Sequence, residues 1–394
     1  MKKALFKYII LLFAVYASAQ SNMDNVLKSI KTNNKTIQST TQYWNAQKLQ
    51  YRTGIFLANP TVEFDYLKGS PANAGNQTDF AINQSFDFPT SYSKKKQLGE
   101  QQMVQADLQL SGASQEILFE SQQILIELVY RNKLQIPLDK RKQLTEKWLS
   151  NFQKRLKQGD GNILDVNKAE LQLIEIKKKY STNVSEIARL QEQLTSLNGG
   201  EALVFNDTVY FAVPAIPDFE TLEKEIEEND PLKKVLQQEK VLAEKQVEVS
   251  KAMTYPKMEI GYHYQGILGQ TYSGVHTGIS IPLWENKNTV KFQKARSSYA
   301  DTQLTEHANE HYFEIKQLYG RYKNLKSILA DYRNTMTARE NMRLLDKAFS
   351  LGHLSTLEYF QEVSYYNAVF DTYMETEREY FMVIAQLYKF RLLE

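Results

Sequence analysis

Two segments of the chain are so long and so poor in helix breakers that they predict helices far longer than those of an ordinary globular domain. They run from Pro89 to Gly159 and from Pro282 to Gly352, and each spans the same 70 positions. About 65 helical residues, each rising about 1.5 Å, would extend about 100 Å. Pro137 predicts a kink in the first helix, whereas Ala330 at the equivalent place leaves the second uninterrupted.

The chain also reads as two copies of one unit, because proline and glycine residues recur at matched spacing. The matched pairs are Pro60 with Pro256, Pro89 with Pro282, and Gly159 with Gly352. Local motifs agree, since GDGNILDV from Gly159 corresponds to GHLSTLEY from Gly352, and the stretch near Asn34 corresponds to the stretch near Asp230. We therefore expect a first repeat over 20–217 and a second over 218–394, with helical hairpin tips near 159 and 352.

Four short segments alternate apolar and polar residues, as is typical of strands whose two faces meet different surroundings. The predicted strands cover about 58–68 and 78–89 in the first repeat and about 256–266 and 273–284 in the second. Each has about the ten residues that a tilted strand needs to cross a bilayer. The predicted apolar face carries Val62, Phe64, Tyr66, Phe80, Ile82, Ile260, Tyr262, Val275, Ile279 and Ile281. The predicted polar face carries Glu63, Asp65, Asp79, Asp87, Glu259, His263 and His276.

The remainder of the chain is predicted to be helical. Between Leu171 and Leu197, apolar residues recur at a mean spacing of about 3.4, which is typical of coiled-coil packing. This stripe consists of Leu173, Ile176, Tyr180, Val184, Ile187, Leu190, Leu194 and Leu197. The predicted fold class is therefore mainly α, with a coiled-coil helical part and four strands per chain.

The first residues have the features of a secretory signal. Lys2, Lys3 and Lys7 precede an apolar run that ends at Ala17-Ser18-Ala19, so we expect a signal peptide over 1–19. Its removal leaves 45 basic against 46 acidic residues, a balance that gives no support for nucleic-acid binding. The chain has no cysteine, which excludes disulfides, thiolate metal sites and an N-terminal lipid on cysteine.

Beyond residue 19 no stretch of 18 apolar residues occurs, so a membrane span would have to be built from strands. Four strands cannot close a barrel, and open strand edges are not tolerated in lipid. Three copies would supply twelve strands, with the apolar face in lipid and the polar face on a wet lumen. Aromatic girdles would come from Phe86, Phe88, Tyr264, Tyr272 and Trp284. The alternative is a soluble protein whose strands pack on its own helices.

The sequence predicts no enzyme, no cofactor and no metal site. The stretch HANEH, from His307 to His311, matches the H-x-x-E-H pattern of inverted zinc peptidases. It lies inside the second long helix, where no pocket is expected to exclude water, so it is interpreted as part of a solvated face. No nucleophile elbow, phosphate loop or dinucleotide fingerprint occurs.

Over nearly its whole mature length the chain resembles the TolC family of outer-membrane efflux ducts. The resemblance rests on the tandem repeat, on the strand openings LANPTVEFDY and TYPKMEIGYHY, and on the strand exits FDFP and ISIPLWENK. It rests also on the tip patterns RLKQGDGNILDVNKAE and AFSLGHLSTLEYF. It implies a homotrimer with a twelve-stranded barrel in outer-membrane lipid and a helical tunnel across the periplasm. A periplasmic membrane-fusion adaptor and an inner-membrane pump of the RND type would dock at the far end.

The resemblance also implies roles for residues at the tips. Gly159, Gly352 and Leu354 would lie at the hairpin tips that contact the adaptor, and Asp165, Glu358 and Gln361 would constrict the periplasmic mouth. Crowded carboxylates there would raise some pKa values and favour cations. Some relatives have at the position of Leu354 a basic residue that ties the mouth shut.

The implied function is a passive exit duct of a tripartite efflux system for metal cations or small toxic compounds. A duct for type I protein secretion and a soluble periplasmic coiled-coil scaffold remain alternatives.

Overall fold

The computed structural model describes residues 22–337 and 341–393. The predicted signal peptide over 1–19 lies outside the described residues. The helices are α1 (22–33), α2 (Lys35–Gln50), α3 (Pro89–Lys157), α4 (Ile163–Leu197), α5 (Phe219–Asn229), α6 (Pro231–Ala252), α7 (Thr289–Thr337), α8 (Asn341–Ser350) and α9 (Thr356–Leu387). The strands are β1 (Thr61–Leu67), β2 (Gln77–Phe86), β3 (Lys257–Ile267) and β4 (Gln270–Ser280).

Each half of the chain contains the same order of elements: two short helices, two strands and then long helices. Helix α3 is continuous over 69 residues, and Pro137 lies inside it without ending it. Helix α7 is continuous over 49 residues and passes through Ala330. The predicted second long helix also covers 338–340, which lie outside the described residues. The predicted mainly helical class with four strands per chain is confirmed.

The four strands form one antiparallel sheet in the order β1-β2-β3-β4. At its centre the last strand of the first half pairs with the first strand of the second, with Ile82 opposite Tyr262. Val62 lies opposite Ile82 on one side, and Tyr262 lies opposite Val275 on the other. Among the described residues, no helix combines the length and the apolar character that a membrane span requires.

The strand ends differ from the predicted ones for local reasons. The strand predicted to reach residue 89 ends at Phe86, and Pro89 instead begins α3. Proline suits that position, because its fixed φ is helical and the first turn needs no N–H donor. The strand predicted over 273–284 begins at Gln270 and ends at Ser280, and turns follow it, in which Leu283 N donates to Ile281 O over 3.0 Å.

The chain divides into two compact units. The first comprises 1–39, 113–229 and 312–394, and the second comprises 40–112 and 230–311. The first unit is helical and has three apolar clusters, of which the largest is centred on the buried Ile30, Leu125, Leu194 and Phe205. The second unit contains the sheet, and Ser91 Oγ donates there to the carbonyl of Ala252 over 3.1 Å.

The apolar stripe of α4 follows the prediction only in part. Leu173, Leu190 and Leu194 are buried as expected, but Val184 is 43% exposed. Its neighbour Asn183 is buried instead, and its amide donates to Arg131 O over 3.0 Å and to Gln135 Oε1 over 2.8 Å. The stripe drifts at this point because a straight α-helix departs from an exact seven-residue repeat, and the amide satisfies polar groups of α3.

A buried tyrosine hydroxyl in the first unit gives a test of its packing. Tyr210 stacks on Phe381 with ring centroids 4.1 Å apart, and burial raises the pKa of its phenol. Within the described residues, its buried hydroxyl has no hydrogen-bond partner. By contrast, the hydroxyl of buried Tyr359 donates to Asp346 Oδ1.

Tyr210→Phe is therefore expected to leave the free energy of unfolding unchanged or to raise it by up to about 1 kcal/mol, since it removes an unsatisfied buried hydroxyl. Tyr359→Phe, the matched control, is expected to lower it by about 1.5 kcal/mol because a hydrogen bond to a carboxylate is lost. Denaturant unfolding in detergent measures both. Equal losses in the two variants would contradict the assignment of Tyr210.

Candidate functional site

The first helical hairpin tip is the turn between α3 and α4. Gly159 has φ of 77°, which a residue with a side chain rarely adopts, and its N–H donates to Leu156 O over 3.2 Å. Gly161 is needed for space, because a Cβ there would lie 2.4 Å from Leu156 N. Asn162 then caps α4, with its Oδ1 accepting from Leu164 N over 3.0 Å. The chain therefore turns between Lys157 and Ile163.

The second tip is the turn between α8 and α9, and it repeats this design. Gly352 has φ of 75°, and its N–H donates to Phe349 O over 3.0 Å. Ser355 caps α9 in a reciprocal arrangement. Its Oγ accepts from Glu358 N over 3.3 Å, while Glu358 Oε2 accepts from Ser355 N over 2.8 Å and from Ser355 Oγ over 2.7 Å. The chain thus turns again between Ser350 and Thr356.

Asp165 and Glu358 hold equivalent positions in the two tips. Each is the third residue of its helix, counted from Ile163 and from Thr356. Each directly precedes a buried residue, Val166 or Tyr359, and both of these belong to one apolar cluster. The structure therefore brings the starts of α4 and α9 together, with one carboxylate on each.

That apolar cluster, the tip cluster, is largely aromatic. The Trp148 ring lies 5.1 Å from that of Tyr359 and 5.0 Å from that of Phe360, both edge to face. Leu354, predicted to contact an adaptor, is half-buried and packs against the same cluster. It therefore contributes apolar packing to the tip.

The pKa of Glu358 is shifted in the chain by its own cap. The backbone N–H of Ser355, followed by its hydroxyl, holds the pKa of the Glu358 carboxyl below its ordinary value. The sequence-based expectation of raised pKa values concerned carboxylates from three chains crowded at one mouth, whereas the lowered pKa of Glu358 arises within a single chain. Because the folded pKa is lowered, the stabilisation by Glu358 is present above its ordinary pKa and is lost as the pH falls through the folded value.

Ser355→Ala is expected to destabilise the first turn of α9 by about 1 kcal/mol, because the cap on Glu358 N is lost. Amide exchange of that turn should then accelerate about fivefold. Hydrogen–deuterium exchange measures this, with Ser350→Ala at the end of α8 as the control. The difference between the Ser355 variant and the wild type should shrink at acid pH, and a difference that grew instead would contradict the role given to Glu358.

Gln361 is exposed and lines an open groove of about 580 Å³ between α4 and α9. The groove is also lined by Lys168, Gln172 and Glu175, which the sequence analysis did not single out. Lys168 Nζ lies 5.9 Å from the centroid of the Phe360 ring. These residues follow Asp165 at helical spacing along one face of α4, and that periodicity was the signal available for finding them.

The sheet places the predicted apolar residues as expected. Nine of the ten lie in strands, and the strand register puts all nine on one face, whereas Ile281 follows the end of β4. This apolar sheet face is exposed at most positions, with Val62 64%, Val275 75% and Ile279 70% exposed, and Phe80 half-buried. Glu63, Asp65, Asp79, Glu259, His263 and His276 share the opposite, polar sheet face.

One aromatic assignment was wrong. Tyr272 was grouped with the residues of the aromatic girdles, but it pairs with Gln265 and so lies on the polar sheet face. Its hydroxyl donates to Gln270 Oε1 over 2.9 Å. Side chains alternate between the two faces along a strand, and Tyr272 is three residues from Val275 in β4, so the two lie on opposite faces.

Solved structures show the same fold. The outer-membrane protein VceC of Vibrio cholerae is similar with a TM-score of 0.76 and 12% identity, covering 96% of this chain and 97% of that chain. The outer-membrane channel OprN is similar with a TM-score of 0.76 and 12% identity, covering 94% of this chain and 89% of that chain. The CmeC outer-membrane channel of Campylobacter jejuni is similar with a TM-score of 0.71 and 12% identity, covering 94% of this chain and 85% of that chain.

No protein-family model matches the sequence, and no curated protein matches it. The similarity nevertheless extends over almost the whole of this chain and at least 85% of each of the three structures. At 12% identity it establishes the architecture. The chain has the fold of these outer-membrane channels.

Proposed function

We propose that the chain is one protomer of a trimeric outer-membrane channel that serves as the passive exit duct of a tripartite efflux system. The observation that carries this proposal is the apolar sheet face. Most of its residues are large apolar side chains that are exposed in the described chain, and they line up across all four strands. An apolar surface of this kind requires a cover, and lipid is the cover that fits β2, β3 and β4, which have 10, 11 and 11 residues.

The number of strands supports a trimer. The sheet begins with β1 and ends with β4, so each chain offers two strand edges, and lipid does not tolerate unpaired edges. Because the strands alternate in direction, β4 of one copy can pair with β1 of the next in the same antiparallel sense. Three copies supply twelve strands, an even number within the range that closed membrane sheets use.

The helical tips support a gate in the proposed duct. Three copies of Asp165 and of Glu358 would form a carboxylate-lined aperture, with Gln361 beside it, and Gly159, Gly352 and Leu354 at the tips would meet a periplasmic adaptor. A duct has no energy source of its own, so transport would be driven by an inner-membrane pump. Metal cations and small toxic compounds are the substrate classes that we propose.

The proposal is tested by the location and mass of the mature protein. Membranes are separated, the outer-membrane fraction is extracted with detergent, and light scattering gives the protein mass. We expect the protein in the outer-membrane fraction, with about three times the mass of one chain of 45.7 kDa less its signal peptide. A soluble monomer or dimer would refute the proposal, since the apolar sheet face would then be covered by protein.

Protein secretion is distinguished from efflux by deletion of the gene. If the duct exports small compounds, cells that lack the gene should become more sensitive to toxic metals or drugs, and the amounts of their secreted proteins should stay unchanged. The reverse result would reassign the same architecture to protein secretion.

A further inference from the structure

Three metal-binding side chains converge in the second unit, at a place outside the tips and the sheet. His307 Nε2 lies 2.6 Å from Asp230 Oδ2, and His311 Nδ1 lies 3.9 Å from the same oxygen. One donor atom from each of the three side chains falls within 4.8 Å of the others. All three side chains are largely buried, with exposed fractions of 14% for His307, 17% for His311 and 12% for Asp230.

The helices explain why these donors meet. His307 and His311 are four residues apart in α7, so their rings stand one above the other, with centroids 5.1 Å apart. Asp230 lies between α5 and α6, 77 positions before His307. The sequence analysis assigned no metal to HANEH because it interpreted the motif as part of a solvated helix face, whereas both imidazoles are largely buried in the structure. The structure provides the third ligand from another helix.

Asp230 is held in position by the start of α6. Its Oδ1 accepts from Leu232 N over 3.1 Å, and its Oδ2 accepts from Lys233 N over 3.0 Å. A carboxylate oxygen has two acceptor sites, so Oδ2 can accept from Lys233 N and still bind a cation. Backbone hydrogen bonds that fix a ligating carboxylate are the usual outer support of metal sites.

We propose that Asp230, His307 and His311 form a binding site for a divalent transition-metal ion of the Zn²⁺ type, which joins the start of α6 to the middle of α7. Two imidazoles and one carboxylate are a donor set that Zn²⁺ uses with a water in the fourth position, whereas Mg²⁺ and Ca²⁺ favour oxygen alone. This site is independent of the duct function.

The distances fit this ion after a small adjustment. Tetrahedral Zn²⁺ with bonds of about 2.0–2.2 Å separates its ligand atoms by about 3.4 Å. The 2.6 Å pair must open and the 3.9 Å pair must close, each by less than about 1 Å, and the two histidine nitrogens, which lie within 4.8 Å of each other, must close by up to about 1.4 Å. Side-chain rotation in α7 can supply these changes. His307 would bind the ion through an unprotonated Nε2, which the tautomer that carries its proton on Nδ1 provides.

The remaining histidines provide matched controls. His353 lies exposed in the second tip turn, and His276 lies on the polar sheet face 3.7 Å from Glu259. Among the described residues, Asp230, His307 and His311 are the set of three donors that meet at metal-binding distance.

The experiment uses the full mature protein in detergent, without a histidine tag and after treatment with a chelator. Zn²⁺ is titrated by calorimetry, and Co²⁺ is added separately so that its visible absorption reports the coordination geometry. We expect one ion per chain with micromolar or tighter affinity, and a Co²⁺ spectrum of tetrahedral or five-coordinate type. Absence of binding at about 100 µM Zn²⁺ would overturn the proposal, since three preorganised donors should exceed that affinity.

Two variants make the assignment specific. Asp230→Asn keeps the helix cap, because asparagine caps as well as aspartate, but it removes the charged ligand. Asp230→Asn and His307→Gln are each expected to weaken binding at least about tenfold, while His353→Gln leaves it unchanged. Circular dichroism and light scattering must show that all variants keep the helix content and mass of the wild type. Wild-type affinity in both Asp230→Asn and His307→Gln would overturn the site.

Discussion

Val275→Arg is expected to keep the protein out of the outer membrane, whereas His276→Arg, one residue further along the same strand, is expected to insert normally. Val275 lies at the middle of β4, is 75% exposed and shares the apolar sheet face with Tyr262. An arginine facing lipid near the midplane costs about 2–4 kcal/mol at each site. In a trimer this cost would be incurred three times in one assembly.

The control has the same chemistry on the other side of the sheet. His276 lies on the polar sheet face next to Glu259, which an arginine can also pair with. The measurement is the amount of each variant in the outer-membrane fraction, together with its mass in detergent. Normal insertion of Val275→Arg would mean that the two sheet faces are assigned the wrong way round.

Replacement of both Asp165 and Glu358 by alanine is expected to open the periplasmic aperture to ions and to reduce its preference for cations. Both carboxylates stand at the starts of helices that meet in the tip cluster, so three copies would place six negative charges around one opening. Such fields concentrate counter-ions on the order of tenfold or more. The ratio of cation to anion permeability should therefore fall on the order of tenfold.

Conductance in planar bilayers measures both effects. Asp160→Ala is the matched control, because Asp160 is an exposed acid in the first tip turn, 3.6 Å from Arg155, and was given no role in the aperture. It is expected to leave conductance and selectivity unchanged. Unchanged conductance and selectivity in the double variant would refute the aperture assignment, and an equal effect in Asp160→Ala would assign it to general tip charge.

The sequence predicted those features of the fold that depend on neighbouring residues alone, namely the two faces of the sheet and the turns at the tips. Alternation over Val62, Phe64 and Tyr66 identified the sheet face, and glycines marked both tips, because a positive φ at Gly159 and Gly352 is a local property of the backbone. The ends of strands were less accurate, since Pro89 can close a strand or open a helix and only the following residues decide between them.

The spacing of residues along the sequence could not predict contacts between residues that are distant in sequence. Asn183 is buried against α3, where its amide donates to Arg131 O and to Gln135 Oε1. Asp230 meets His307 across 77 positions of sequence, and the groove beside Gln361 combines side chains of three helices, α3, α4 and α9. None of these partners can be read from spacing within one segment.

The sheet described above has a kinetic consequence. Its first and last strands, β1 and β4, each leave one edge without a partner among the described residues, so one copy alone cannot satisfy its backbone in lipid. If the apolar sheet face enters the membrane, insertion and assembly have to occur together, without a stable inserted monomer. The rate of insertion into lipid vesicles should then rise more steeply than the first power of protein concentration.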